Sequence, residues 1–294
     1  MAWLQLTLEA THSNSDQLSE LLTQAGSVAV TLQDAFDDPI FEPPIGSTPL
    51  WKELLITGLF EADINIDAVL DLVKQKTGSL PSYKLNPLED KDWIRAWMDD
   101  FKPMQFGQRV WICPTWHTPP DANAVNIMLD PGLAFGTGTH PTTSLCLKWL
   151  DKHFYEPIDV IDYGCGSGVL GIAASLLNAR KVYAVDLDPQ ALIATLANAE
   201  KNQVNNKLET FSVNSFKQQN DQLQCPLLIA NILAAPLIEL APMLSSHVIS
   251  GGHILLSGIL EEQAEKVSKT YQKWFTIDEI TQEDEWIRIV GTKR

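Results

Sequence analysis

The chain has 294 residues, 45% of them hydrophobic and 20% charged. That suits one large folded domain or two ordinary ones and excludes a mainly disordered chain. Its formal net charge of −16 argues against nucleic-acid binding by phosphate neutralisation, and for either a basic partner or plain solubility.

The start, Met1-Ala2-Trp3-Leu4-Gln5-Leu6, has no basic residue and no long apolar run, so neither a signal peptide nor a membrane span is expected. Cys113, Cys146, Cys165 and Cys225 form no C-x-x-C pair, and the histidines do not cluster with them. The expectation is a reducing cytoplasm, no disulfide and no metal. Nothing marks an oligomer interface, so a monomer is the default.

In chain order, Trp3–Leu8 alternates as a half-buried strand does. Ser13–Ala25 places Leu18, Leu21 and Leu22 on one helical face, with Gly26 as a stop. Strands are expected at Val28–Leu32, Leu54–Phe60 and Ser82–Leu85, and a helix at Ile66–Gln75. The order β-α-β-β-α-β predicts a ferredoxin-like unit over residues 1–90. Trp93, Trp97 and Met98 at helical spacing predict a linker helix over 91–105. Arg109–Cys113 and Asn126–Leu129 read as strands, paired as a hairpin around Thr118-Pro119-Pro120-Asp121.

From Ile158 strands and helices alternate. The strands are expected at Val160–Tyr163, Val182–Val185, Leu208–Val213, Leu227–Ala230, His253–Ser257, Phe275–Ile280 and Trp286–Val290. This predicts an α/β, doubly wound, mostly parallel seven-stranded sheet within residues 106–294.

The strand Val160–Tyr163 runs into Gly164-Cys165-Gly166-Ser167-Gly168 and then a helix. Such glycines permit a tight turn and close approach to a ligand. Two frames fit. Gly166-x-Gly168-x-x-Gly171 matches a dinucleotide fingerprint. Asp162-x-Gly164-x-Gly166-x-Gly168 resembles the first motif of class I S-adenosylmethionine methyltransferases. There the carboxylate suits a ligand carrying an ammonium and a sulfonium, and would repel a pyrophosphate.

Asp186, ending the next apolar strand, is the expected ribose reader. Asp188 is expected to cap the following helix with Pro189 at its first position. The third strand is expected to end near Asn214-Ser215, where no acid stands to read an adenine amino group.

Asn231 closes the fourth strand. It reads either as a cap for a helix from Ala235 or as the group that orients a reacting amine, because an amide carbonyl can hold an amine proton and aim the nitrogen lone pair. Upstream, Phe135-Gly136-Thr137-Gly138-Thr139-His140-Pro141-Thr142-Thr143 is a glycine-rich entry to a helix, whose first turn, with Thr142 and Thr143, offers N–H groups to a carboxylate.

That string, together with Asp162–Gly168 and Asn231-Ile232-Leu233-Ala234, closely resembles the ribosomal protein L11 methyltransferase (PrmA) family, and the likeness extends to Trp3–Leu6 and Leu88–Trp93. It implies methyl transfer from S-adenosylmethionine to lysine side chains and the N-terminal amine of ribosomal protein L11, up to trimethylation. It also implies that the first domain recognises that substrate. Cofactor contacts then fall on Phe135, Thr142, Thr143, Asp162, Gly164, Gly166, Gly168, Asp186 and Asn231, with Asn231 also catalytic. Ile232-Leu233-Ala234 lacks the aromatic of related amino-group enzymes, which implies a roomier wall. An NAD-dependent oxidoreductase and a non-enzymatic assembly factor remain the competing readings. The acidity is uneven: residues 1–105 hold −10 of the −16 charges, as steering of a basic substrate to the first domain requires.

Overall fold

The computed structural model describes residues 3–36, 40, 48–88, 101–130 and 140–294. The chain divides into two compact units, Met1–Asp100 and Phe101–Arg294.

In the first unit, β1 (Trp3–Thr11), α1 (Ser15–Gln24), β2 (Ala29–Asp34), β3 (Glu53–Glu61), α2 (Ile66–Thr77) and β4 (Tyr83–Leu88) follow one another. The strands form an antiparallel sheet in the order β2-β3-β1-β4, the arrangement expected of a split β-α-β unit. Alternation on β1 buries Leu6, Leu8 and Ala10, which pack with Leu54, Ile56 and Phe60 of β3, Leu18 and Leu22 of α1 and Val69 and Val73 of α2. The helix α2 is bounded by its own chemistry. Asn65 accepts the Ala68 N–H at its start, and Gly78, at φ +82°, takes the left-handed turn at its end.

The second unit is built on β8 (Asp159–Tyr163), β9 (Lys181–Asp186), β10 (Leu208–Ser212), β11 (Cys225–Asn231), β12 (Val248–Leu260), β13 (Phe275–Glu283) and β14 (Trp286–Lys293). Their order is β10-β9-β8-β11-β12-β14-β13. The pairs are parallel, except that β14 runs antiparallel to β12 and β13. Its helices are α3 (Pro141–His153), α4 (Val169–Leu176), α5 (Pro189–Lys201), α6 (Val213–Asn220), α7 (Ala234–Ser246) and α8 (Ala264–Tyr271). Neighbouring strand residues feed opposite layers. Val160, Leu227 and Ile229 pack with Leu147, Leu170 and Ile172, whereas Ile161, Leu228 and Ala230 pack with Leu237, Leu244 and Tyr271. Strand order reverses between β8 and β11, which opens a crevice at their carboxyl ends.

Two expectations change. Residues 91–100 of the expected linker helix lie outside the described residues, and its end is not helical, because Met104–Phe106 form a strand, β5. The expected hairpin is absent: β6 (Val110–Cys113) pairs antiparallel with β5 but parallel with β7 (Val125–Met128). The connection after Cys113 crosses over instead of turning back, and Asn202 pins the end of β7 by accepting the Met128 N–H at 2.7 Å and donating to the Met128 carbonyl at 2.9 Å.

The β5–β6 turn is clasped by Asp151 of α3. This buried carboxylate accepts the N–H of Gln108 at 2.8 Å and of Arg109 at 2.7 Å. It also occupies the place that a side chain at Gly107 would fill. Replacement of Asp151 by Ala leaves two N–H groups without this acceptor and loses the Arg109 ion pair. The expected cost is about 2–4 kcal/mol of stability, read from denaturant unfolding, with Asp151→Asn milder.

Candidate functional site

The loop after β8 follows a path that glycine alone takes without strain. Gly164, Gly166 and Gly168 stand at φ +79°, +55° and +80°. A side chain at Gly164 would run into Ile232, and one at Gly168 would meet Thr195 at 2.8 Å. The N–H groups of Gly164 and Cys165 both donate to the Val185 carbonyl, at 2.7 and 3.1 Å. This fastens the loop to the end of β9.

Asp186, the last residue of β9, completes the fastening. One carboxylate oxygen accepts the Gly166 N–H at 2.8 Å and the other accepts the Asp188 N–H at 2.9 Å. Asp188 in turn caps α5 through the Gln190 N–H at 2.9 Å, with Pro189 in the first turn. Each Asp186 oxygen has a second lone pair. The carboxylate is therefore able to accept from a vicinal diol while it holds the loop.

Asp162 lies beneath the loop, 1% exposed. Its carboxylate accepts the Gly171 N–H at 2.9 Å, anchoring α4. Burial pushes its pKa up to about 7; the Gly171 bond opposes the shift and the Asp186 charge adds to it.

Asn231 ends β11 and is half-buried. It is not a helix cap, since α7 starts after Leu233. Its amide nitrogen donates to the Thr143 hydroxyl at 3.5 Å, which turns its carbonyl oxygen to the other side. Thr143 is fully buried in the first turn of α3, beside the nearly buried Thr142.

The structure thus joins Gly164, Gly166, Gly168 and Asp186 in one hydrogen-bonded loop over Asp162, and Asn231 to Thr143. Ile232, next to Asn231, packs on Gly164 and links the two groups. Phe135 lies outside the described residues. The start of α3 is less open than the glycine-rich entry implies. Thr142 N–H donates to His140 Nδ1 at 3.4 Å and Thr143 N–H to the His140 carbonyl at 3.0 Å. Strand β10 stops at Ser212, whose hydroxyl caps α6, so Asn214 sits within that helix. Ala234 is buried in the first turn of α7, and Leu233 is the half-exposed member of its trio.

Two contributors were not legible as site residues. Thr195 Oγ1 donates to the Gly166 carbonyl at 3.0 Å, and Asn198 Nδ2 to the Ser167 carbonyl at 2.9 Å. They are spaced i, i+3 on one face of α5, which is the only trace they leave in the sequence. Gly258, at φ +81°, lets the Ile232 backbone press against β12.

Burial holds the four thiols in the protonated form, with Cys146 and Cys225 pushed up to about 12. Among the described residues no group of three or more His, Cys, Asp or Glu is placed to hold a metal ion, and no helix is long and apolar enough to cross a membrane. The arrangement of described residues can bind and orient a ligand.

The family model for ribosomal protein L11 methyltransferase (PrmA) matches residues 2–294. A relative from Marinomonas sp. (strain MWYL1) named ribosomal protein L11 methyltransferase is 49% identical over 298 residues, covering all of this chain and 99% of the relative. One of the same name from Shewanella sediminis (strain HAW-EB3) is 49% identical over 296 residues, covering all of both chains. The crystal structure of a ribosomal protein L11 methylase from Lactobacillus delbrueckii subsp. bulgaricus is similar at TM-score 0.61 and 31% identity, covering 66% of this chain and all of that one.

The raised pKa of Asp162 has a readable consequence. A carboxyl whose folded pKa, about 7, exceeds its unfolded value of about 3.9 gives stability that is full in acid and is lost as pH rises through the folded value. Asp162→Asn stays neutral. Unfolding free energies measured from about pH 4 to about pH 8 should therefore move in favour of Asp162→Asn by a few kcal/mol; parallel profiles would show that the carboxylate ionises without penalty.

Proposed function

The chain belongs to the ribosomal protein L11 methyltransferase (PrmA) family, and we propose that it transfers methyl groups from S-adenosylmethionine to lysine side chains and the N-terminal amine of ribosomal protein L11, up to trimethylation. The observation that carries the reading is the Asp186 carboxylate, bracketed by the Gly166 and Asp188 N–H groups at the mouth of a loop with three left-handed glycines. With Asn231 at the next strand end, this is a binding cradle for a nucleoside beside an amine-orienting amide.

The residues fit that cofactor. The free lone pairs of Asp186 suit a ribose diol. Leu187, 84% exposed beside it, offers an apolar surface to a base. No Cβ intervenes along Gly164, Gly166 and Gly168. Asp162 lies beneath the loop, where a positively charged ligand favours its ionised form and a pyrophosphate opposes it; this favours the methyl donor over NAD. When bound, S-adenosylmethionine supplies a methyl carbon activated by its sulfonium.

The chain's own part is positioning. A lysine amine has a pKa of about 10.4, so its neutral form costs roughly 4–5 kcal/mol near pH 7. Desolvation beside a positive charge lowers that cost. Asn231 has its amide nitrogen on Thr143. Its carbonyl oxygen accepts a hydrogen bond from an N–H of the incoming amine and so aims the lone pair. Asn231 cannot take the proton away; the amine arrives neutral, its proton lost to water.

In the same proposal, residues 1–90 recognise the protein substrate, residues 106–294 carry the chemistry, and the acidic first unit meets a basic partner in the cytoplasm. The enzyme works as a monomer and without a metal.

The test is incubation with labelled S-adenosylmethionine and undermethylated ribosomal protein L11, followed by mass mapping. Label on lysines and on the N-terminal amine supports the proposal; none on that protein, or binding of NAD in place of S-adenosylmethionine, overturns it. Asp186→Ala should weaken cofactor binding at least about tenfold, by loss of charge-assisted bonds. Asn231→Ala should lower kcat about a hundredfold and affect KM less, because its contact to the amine matters most in the transition state.

A further inference from the structure

Thr143 holds its place only as well as α3 is started. The residue that starts α3 is His140, in extended conformation at φ −76°, ψ 137°. Its Nδ1 accepts the Thr142 N–H at 3.4 Å and lies 2.8 Å from the Thr142 hydroxyl. Its carbonyl accepts the N–H groups of Thr143 and Ser144, at 3.0 and 3.1 Å. The ring stands edge-on to Trp286, with centroids 4.8 Å apart and planes at 66°. One imidazole thus takes the place that Ser, Thr, Asp or Asn takes at other helix starts.

A histidine cap differs from those in one respect. It accepts an N–H only through an unprotonated ring nitrogen. A proton on Nδ1 removes the acceptor of the Thr142 N–H and leaves the ring able only to donate to the Thr142 hydroxyl. It also sets a positive charge on the positive end of the helix dipole.

We propose that His140 is a positioning residue for methyl transfer: neutral, it caps α3 and keeps Thr143 against Asn231, and protonated, it releases that first turn and weakens the site. The proposal rests on the reading of Thr143 and Asn231 as parts of the methyl-transfer site. Burial pushes the His140 pKa below its ordinary value, with the Glu285 carboxylate opposing. The cap is therefore complete at neutral pH and is lost on acidification. Of the other charged groups on and around the helix, Lys152 and His153 stand in its last turn. Glu283 pairs with Lys148 and accepts from Ser144, Arg288 holds the Leu145 carbonyl and Glu279, and Asp162 of β8 is bonded to Gly171.

The experiment compares the full-length wild type with His140→Asn and His140→Ala. Asparagine caps a helix but does not titrate in this range. Two readouts are followed from about pH 8 to about pH 5: affinity for S-adenosylhomocysteine by calorimetry, and the backbone amide resonances of Thr142 and Thr143 by NMR. In the wild type the two amides should shift along the His140 titration, and affinity should fall about tenfold further than in His140→Asn. His140→Ala should bind about fivefold weaker than wild type already at about pH 8, with His140→Asn restoring most of the loss. The Asp162 titration is common to all three proteins and cancels in their ratios. Amides that ignore the His140 titration, or an equally steep acid decline in His140→Asn, would overturn the proposal. Should S-adenosylhomocysteine bind none of the proteins at any pH, the cofactor reading fails, and the amide shifts alone decide the role of His140.

Discussion

The Asp186 carboxylate accepts the Gly166 N–H with one oxygen and the Asp188 N–H with the other, and so ties the loop after β8 to the helix start after β9. The rest of the crevice depends on this pair of hydrogen bonds. The loop cannot retreat, because Ile232 and Thr195 fill the space behind Gly164 and Gly168. Nor can it advance, because its N–H groups are held by Asp186 and Val185. A glycine loop is costly to order, and these anchors offset that cost before a ligand arrives. The outcome is a preorganised surface, which lowers the entropic cost of binding.

The same geometry brings two acids close together. Asp162 is buried below the loop, and the Asp186 charge helps burial to raise its pKa to about 7. A protein stabilised for its own sake would place an apolar residue at such a buried position. Retention of the carboxyl makes sense if a positive ligand lies above it: a nearby cation favours the ionised form and thereby removes the burial penalty. The site then gains affinity at the point where the empty fold is least at ease.

Much of this was legible because it is local. Period-two alternation located β1, the succession of strands and helices located the large sheet, and the glycine spacing located the loop. Asp188-Pro189 announced a helix start, which the structure repeats. What was not legible depends on distant partners or on an unfamiliar residue in a familiar role. The Thr118–Asp121 turn residues suggested a hairpin, whereas β6 and β7 run parallel, with Met128 held by Asn202, 74 positions away. Parallel strands need a crossover of about a dozen residues, and this connection is close to that minimum, so length could not decide. Thr195 and Asn198 read as ordinary helix residues until the loop carbonyls were placed against them. His140 was hidden for another reason: sequence patterns for helix starts look for hydroxyls, amides and acids, not imidazoles.

That imidazole acts on a helix which is otherwise well fixed. The far end of α3 is held by Asp151 to the β5–β6 turn. Its middle is held by Arg288 through the Leu145 carbonyl and by Glu283 through Ser144 and Lys148. A change at the cap therefore does not move the helix as a body. Its effect is confined to the first turn, which carries Thr143. The Asn231–Thr143 bond is already long at 3.5 Å, near the limit at which such a bond contributes. A small displacement there is enough to free the Asn231 amide to rotate. In the proposed role of Asn231, such rotation removes the fixed direction of its carbonyl oxygen, on which positioning of the amine depends.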